Sequence, residues 1–198
     1  PVIMSTGMAT ELEINDAISA ARESGCRDLI LLKCTSAYPS TSDEMNLKTI
    51  PSMMDRFCLP VGLSDHTLGI AVPVAAVALG VCLIEKHFTI SRSVPGPDSV
   101  FSLEPAEFCA MVEAVRVVER ALGSARFGPT NHEIASAVFR RSLFVVKDMK
   151  TGDPFTRENV RSIRPGHGLS PKYIGQILGK LAARNISRGT PLDWSLVC

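Results

Sequence analysis

Two short runs hold most of the chemistry this sequence can do: Ser64-Asp65-His66-Thr67 and Ile84-Glu85-Lys86-His87-Phe88. Each closes an apolar segment of the kind that forms a strand. Side chains alternate faces along a strand, so Ser64 and His66 point one way, as do Glu85 and His87, while Asp65 and Lys86 point the other. On neighbouring strands, two imidazoles and a carboxylate would converge. Imidazole nitrogens with carboxylate and water oxygens suit a divalent ion such as Mn²⁺, Co²⁺ or Zn²⁺. Two protein ligands leave positions open for substrate, which is the arrangement of a Lewis acid rather than of a structural ion. One isolated histidine would read as a helix cap or a hydrogen-bonded core residue; two, each beside a carboxylate, read as a site.

Two further strand ends carry polar groups, Met4-Ser5-Thr6-Gly7-Met8 and Lys33-Cys34-Thr35-Ser36-Ala37-Tyr38-Pro39. The hydroxyls of Ser5, Thr6, Thr35, Ser36 and Ser64, with the backbone at Gly7 ahead of a helix, could hold a phosphate or carboxylate through N–H and O–H donors. The same residue types also cap helices.

The elements that must position these groups follow from hydrophobic pattern. Val2–Ser5 reads as a strand, and Thr10 with Glu13 caps a helix that runs to about Ser24 and ends at Gly25. Asp28–Lys33 reads as a strand buried on both faces, then a helix over Asn46–Phe57 that Pro51 must kink or delay. Pro60–Ser64, Ile70–Leu79, Val81–Phe88 and Glu104–Leu122 give strand, helix, strand and a long helix. Four consecutive βα units imply a parallel sheet with its chemistry at the C-terminal strand ends. A closed barrel of this type needs eight, so the pattern is half a barrel or a smaller open sheet.

Composition shifts after Gly123. Residues 1–122 form the α/β part, 123–138 read as a linker, and 139–198 as a small, mostly β module. Its strands are expected at Ser142–Val146 and Val160–Ile163, with a short helix near Pro171–Leu178.

With 21 basic and 20 acidic side chains and no basic block, neither nucleic acid nor an anionic membrane surface is expected as a partner. The longest apolar run, Gly69–Ile84, is too short to span a bilayer. The start, Pro1-Val2-Ile3-Met4, reads as a chain entered in mid-domain. Six cysteines without a C-x-x-C pair read as buried free thiols in a reducing cytoplasm.

The runs Ser5-Thr6-Gly7-Met8-Ala9-Thr10, Cys34-Thr35-Ser36-Ala37-Tyr38-Pro39, Gly62-Leu63-Ser64-Asp65-His66-Thr67-Leu68-Gly69, Ile84-Glu85-Lys86-His87-Phe88, Gly96-Pro97-Asp98 and Arg164-Pro165-Gly166 resemble the nonulosonic acid synthases of the sialic, legionaminic and pseudaminic acid branches. Leu32-Lys33-Cys34-Thr35-Ser36-Ala37-Tyr38, Gly69-Ile70-Ala71-Val72-Pro73-Val74-Ala75-Ala76 and Ser162-Ile163-Arg164-Pro165-Gly166-His167-Gly168 look closer to the pseudaminic acid branch than to the sialic acid branch.

The resemblance implies the C-terminal half of a (β/α)8 barrel followed by an antifreeze-like (SAF) domain, the family's first four βα units having no counterpart here. It implies condensation of phosphoenolpyruvate with an N-acetylated amino sugar, here 2,4-diacetamido-2,4,6-trideoxy-L-altrose, with release of phosphate. It also implies a divalent metal (Mn²⁺, or Co²⁺ or Mg²⁺) on His66 and His87, Glu85 as the catalytic carboxylate, and phosphoenolpyruvate contacts at Ser5, Ser36 and Ser64. Tyr38 and Asp98 would lie on the sugar side. Phe139 and Arg164 would reach the sugar from the SAF domain, which caps the other subunit of a homodimer. Other readings are an N-acetylneuraminate or legionaminate synthase, a metal-dependent aldolase or isomerase, or a non-catalytic carbohydrate-binding SAF protein.

Overall fold

In the computed structural model, which describes residues 1–198, four strands pair in parallel and in sequence order. They are β1 (Val2–Ser5), β2 (Leu29–Cys34), β3 (Val61–Asp65) and β4 (Ile84–Lys86). Helices α1 (Glu11–Glu23), α2 (Thr49–Phe57), α3 (Ala71–Ala78) and α4 (Pro105–Leu122) follow them in turn. The chain divides into two compact units, Pro1–Ser124 and Ala125–Cys198.

Local signals account for most boundaries. Thr10 and Glu13 form the capping box of α1, satisfying two N–H groups that the first turn leaves free. Gly25 beyond its end has φ of 88°, a conformation a side chain would resist. Helix α2 starts at Thr49 rather than Asn46, which places Pro51 in the first turn, where its missing N–H costs nothing. Regular pairing of β4 is limited to three residues. Beyond Lys86 the backbone leaves β3, and His87 and Thr89 bond Leu103 instead.

Leu29 and Leu31 of β2 with Val61 and Leu63 of β3 form one core with Ile50, Met53 and Ala76. The opposite face carries Leu32, Gly62, Ser64 and Glu85. A Cβ at Gly62 would stand 2.5 Å from Leu32 Cδ2 and 2.8 Å from the Leu83 carbonyl, so only glycine fits there.

In the second unit β5 (Ser142–Val145) pairs antiparallel with β6 (Val160–Ile163). Isolated bridges such as Met149 to Ile186 and Ala182 to Val197 supply the other pairing. Leu143, Val145, Phe155, Val160, Ile177 and Leu192 form its core. The expected helix near Pro171 is a 3-10 turn, Pro171–Tyr173, followed by a four-residue α-helix, Ile174–Ile177. The stretch read as a linker is partly helical: Asn131–Ile134 is a turn of α-helix capped by Thr130 and Glu133, and Ala135–Phe139 continues it as 3-10. The cysteines also depart from expectation. All six are free, yet only Cys34 is buried and four are exposed, because apolar flanking residues do not fix which side of a turn or helix faces inward.

Candidate active site

Cross-strand register brings the two histidine runs together. Ser64 lies opposite Glu85, and Asp65 opposite Lys86. The Ser64 hydroxyl donates to Glu85 Oε1 at 2.7 Å, which leaves Oε2 of that carboxylate available. Two residues further along, the His66 and His87 rings sit 5.2 Å apart between centroids. Together Ser64, His66, Glu85, Lys86 and His87 line a recess of about 230 Å³.

The tautomer of a neutral His66 ring follows from its partner. Its Nδ1 lies 2.9 Å from the Thr35 carbonyl oxygen, which can only accept, so Nδ1 carries the proton and the Nε2 lone pair is free to ligate. For His87 the nearest acidic group at Nδ1 is Asp98, whose Oδ2 lies 3.6 Å away, beyond hydrogen-bond reach. Two imidazoles on one side of a sheet, that of His66 with an acceptor bonded at Nδ1, have the donor chemistry that a divalent ion such as Mn²⁺ takes. No group of three or more His, Cys, Asp and Glu is arranged around a common point.

Tyr38 packs on both histidines, at 4.2 Å from the His66 ring and 5.9 Å from that of His87. Ser36 is exposed, with its Oγ 4.0 Å from Cys34 Sγ, and a Cβ at Gly7 would approach that Oγ to 3.1 Å. This places the loops after β1 and β2 side by side. Ser5 ends β1, exposed, and pairs in register with Leu32. Phe139 and Arg164 lie in the second unit. There the Gly166 N–H donates to the Val138 carbonyl at 2.8 Å, and the Ser142 hydroxyl donates to Pro165 O at 2.7 Å while accepting from Gly168 N–H. These bonds hold the Arg164 turn against the backbone beside Phe139, and both side chains are exposed.

Several residues that complete the site were not singled out by the sequence. Phe101 stacks edgewise on His87 at 5.0 Å and lies 6.0 Å from Tyr38. It comes from a 3-10 turn, Ser99–Phe101, too short to show periodicity. Ser40 and Thr67, both buried, join the loop after β2 to the end of β3.

The four-stranded parallel sheet with its helices is a half-barrel arrangement of the (β/α) class, and sequence comparison identifies the family. The chain belongs to the NeuB family, whose model matches residues 1–127, and residues 140–197 match the SAF domain. Among its relatives is a pseudaminic acid synthase of Campylobacter jejuni, 48% identical over 98% of this chain and 57% of that protein. An N,N'-diacetyllegionaminic acid synthase of Legionella pneumophila is 42% identical over 98% of this chain and 56% of its own length. The chain thus spans somewhat over half the length of these relatives. Among solved structures, the spore coat polysaccharide biosynthesis protein SpsE of Bacillus subtilis matches all of this chain and 61% of its own, at 31% identity and a TM-score of 0.60. No helix is long and apolar enough to cross a membrane.

Proposed function

We propose that this chain supplies one side of the active site of a cytoplasmic nonulosonic acid synthase that makes pseudaminic acid. Phosphoenolpyruvate and 2,4-diacetamido-2,4,6-trideoxy-L-altrose would be the substrates. In the reaction, C3 of the enol bonds to the aldehyde carbon of the sugar, water adds at C2, and the C–O bond to phosphate breaks. The observation that carries the reading is the pairing of Ser64–Glu85 with His66–His87 at two adjacent strand ends. The names and identities of the relatives favour the pseudaminic branch, with 48% and 47% identity to two synthases of that name.

His66 and His87 would hold a divalent ion, Mn²⁺ in the first instance, which when bound supplies Lewis-acid polarisation of the sugar aldehyde. Glu85, oriented by the Ser64 hydroxyl, would take the proton from the attacking water through Oε2. Ser5 and Ser36 would donate hydrogen bonds to phosphoenolpyruvate, and Ser64, whose one hydroxyl proton goes to Glu85, would line its site. Tyr38 and Asp98 flank the histidines and would meet the sugar. Phe139 and Arg164 are assigned to the N-acetyl side of the sugar, from the SAF domain of the other subunit in a homodimer.

The test joins this chain to the preceding part of the Campylobacter synthase and measures phosphate release from phosphoenolpyruvate with Mn²⁺ and each of the pseudaminic, legionaminic and sialic precursor sugars. Turnover with the first alone is expected. Preference for another sugar moves the chain to that branch, and a folded hybrid that releases no phosphate with any of them overturns the reading.

A further inference from the structure

Each histidine follows a residue of the opposite face, and those two residues form a buried ion pair. Lys86 Nζ lies 2.6 Å from Asp65 Oδ2, with 1% and 0% of the two side chains exposed. The other carboxylate oxygen is also used: Asp65 Oδ1 accepts from Thr67 N–H at 3.0 Å and from the Thr67 hydroxyl at 2.8 Å. Lys86 donates in addition to the Thr67 carbonyl. The Lys86 ammonium thus bonds the Asp65 side chain and the Thr67 carbonyl, on either side of His66 in sequence.

The network continues into the next loop. The Ser40 N–H donates to the His66 carbonyl at 2.9 Å, and its hydroxyl bonds the carbonyls of Thr35 and Ala37 at 3.0 and 2.8 Å. That Thr35 carbonyl is the acceptor of His66 Nδ1–H. Asp65, His66, Thr67 and Ser40 are all buried, and no buried side-chain nitrogen or oxygen lacks a partner.

A buried ion pair is a poor source of stability, since desolvation cancels most of its attraction, but it is intolerant of misplacement. Here it sits where misplacement would matter, one peptide from each proposed ligand. We infer that Asp65 and Lys86, with Thr67 and Ser40, are positioning residues that set the spacing of His66 and His87 and the orientation of the His66 ring. The inference rests on the ligand role given to the two histidines above.

Mn²⁺ affinity of the 198-residue chain, read by electron paramagnetic resonance, and the Co²⁺ absorption spectrum test it, beside a thermal melt. Lys86→Met should weaken Mn²⁺ binding by roughly 10–100-fold, the usual loss when a group that orients a ligand is removed. Asp65→Asn with Lys86→Met removes both charges but keeps an acceptor for Thr67; its melt should recover towards wild type while affinity stays reduced and the Co²⁺ spectrum altered. Ser40→Ala, which leaves the ion pair in place, should also weaken binding by disturbing Thr35. Should melt and affinity recover together in the double variant, or Ser40→Ala bind as wild type, the network is a stability element and the inference falls. Wild-type protein that binds no Mn²⁺ overturns the ligand reading itself, and this inference with it.

Discussion

Replacing His87 by Ala and Lys86 by Met perturbs adjacent positions at the end of β4 whose side chains leave on opposite faces. The consequences should separate stability from metal binding. His87 is 28% exposed and touches Phe101, Tyr38 and His66 only through ring edges and faces. Its truncation should cost about 1 kcal/mol, the typical value for a partly buried side chain, or roughly 2–4 °C in a chain of this size. Lys86→Met leaves the Asp65 carboxylate, 0% exposed, without its cation. Breaking a buried pair in this way costs about 3–5 kcal/mol, so the melt should fall by roughly 6–20 °C. Mn²⁺ binding should behave the other way round, disappearing in His87→Ala and weakening in Lys86→Met. In a hybrid that joins this chain to the preceding part of the Campylobacter synthase, His87→Ala should slow phosphate release by about a thousandfold or more, corresponding to several kcal/mol of lost stabilisation in the transition state. Circular dichroism melts and the Mn²⁺ titration suffice for the first two quantities. Unchanged Mn²⁺ affinity in a folded His87→Ala would refute the metal assignment, and a Lys86→Met melt within a degree or two of wild type would refute the buried pair.

Glu107 makes an acid-range prediction. Its carboxyl, bonded to the Arg92 guanidinium and to the Glu104 N–H at the start of α4, is held down at about 2. Because the folded value lies below the ordinary carboxylate range, the stabilisation is complete above about pH 4.5 and is lost as pH falls towards 2. Arg92→Ala should therefore flatten the pH dependence of stability across that window, and an unchanged acid limb in urea titrations would count against the pairing. In the second unit, a Cβ at Gly168 would stand 2.2 Å from the Leu143 carbonyl and 3.0 Å from Leu192 N. Gly168→Ala should then disrupt packing around β5, lowering hydrogen-exchange protection at Val145 and Val160 while leaving that at Leu31 and Leu63 unchanged; equal protection in both units would contradict it.

Period-two alternation made the two faces of β3 and β4 legible from sequence, because residue spacing alone decides which side chains share a side. The capping box at Thr10 and Glu13 was legible for the same local reason. An identical signal at Thr130 and Glu133 lay beside Gly128-Pro129, where turn-forming residues drew the reading towards a linker. What could not be read was long-range. Phe101 reaches His87 only because the chain beyond Lys86 turns away from β3 to meet Leu103, a pairing set by tertiary packing. The same holds for Ser40, which finds His66 across 26 positions of sequence.

The alternation also divides labour at the strand ends. On one face, Ser64, Glu85, His66 and His87 are groups whose free lone pairs or protons can serve a substrate or ion. On the other, Asp65 and Lys86 spend every strong interaction on each other and on Thr67. Hydrophobic residues at those two positions would extend the core that Leu31 and Leu63 share with the helices, and would often be no less stable. They would also allow β4 to slide or rotate, because apolar contacts are non-directional. β4 offers only three residues of regular pairing, the weakest hold on its register in the sheet. A directional, buried clip is therefore placed where backbone pairing is shortest and where a displacement of about 1 Å between the two proposed ligands would matter most.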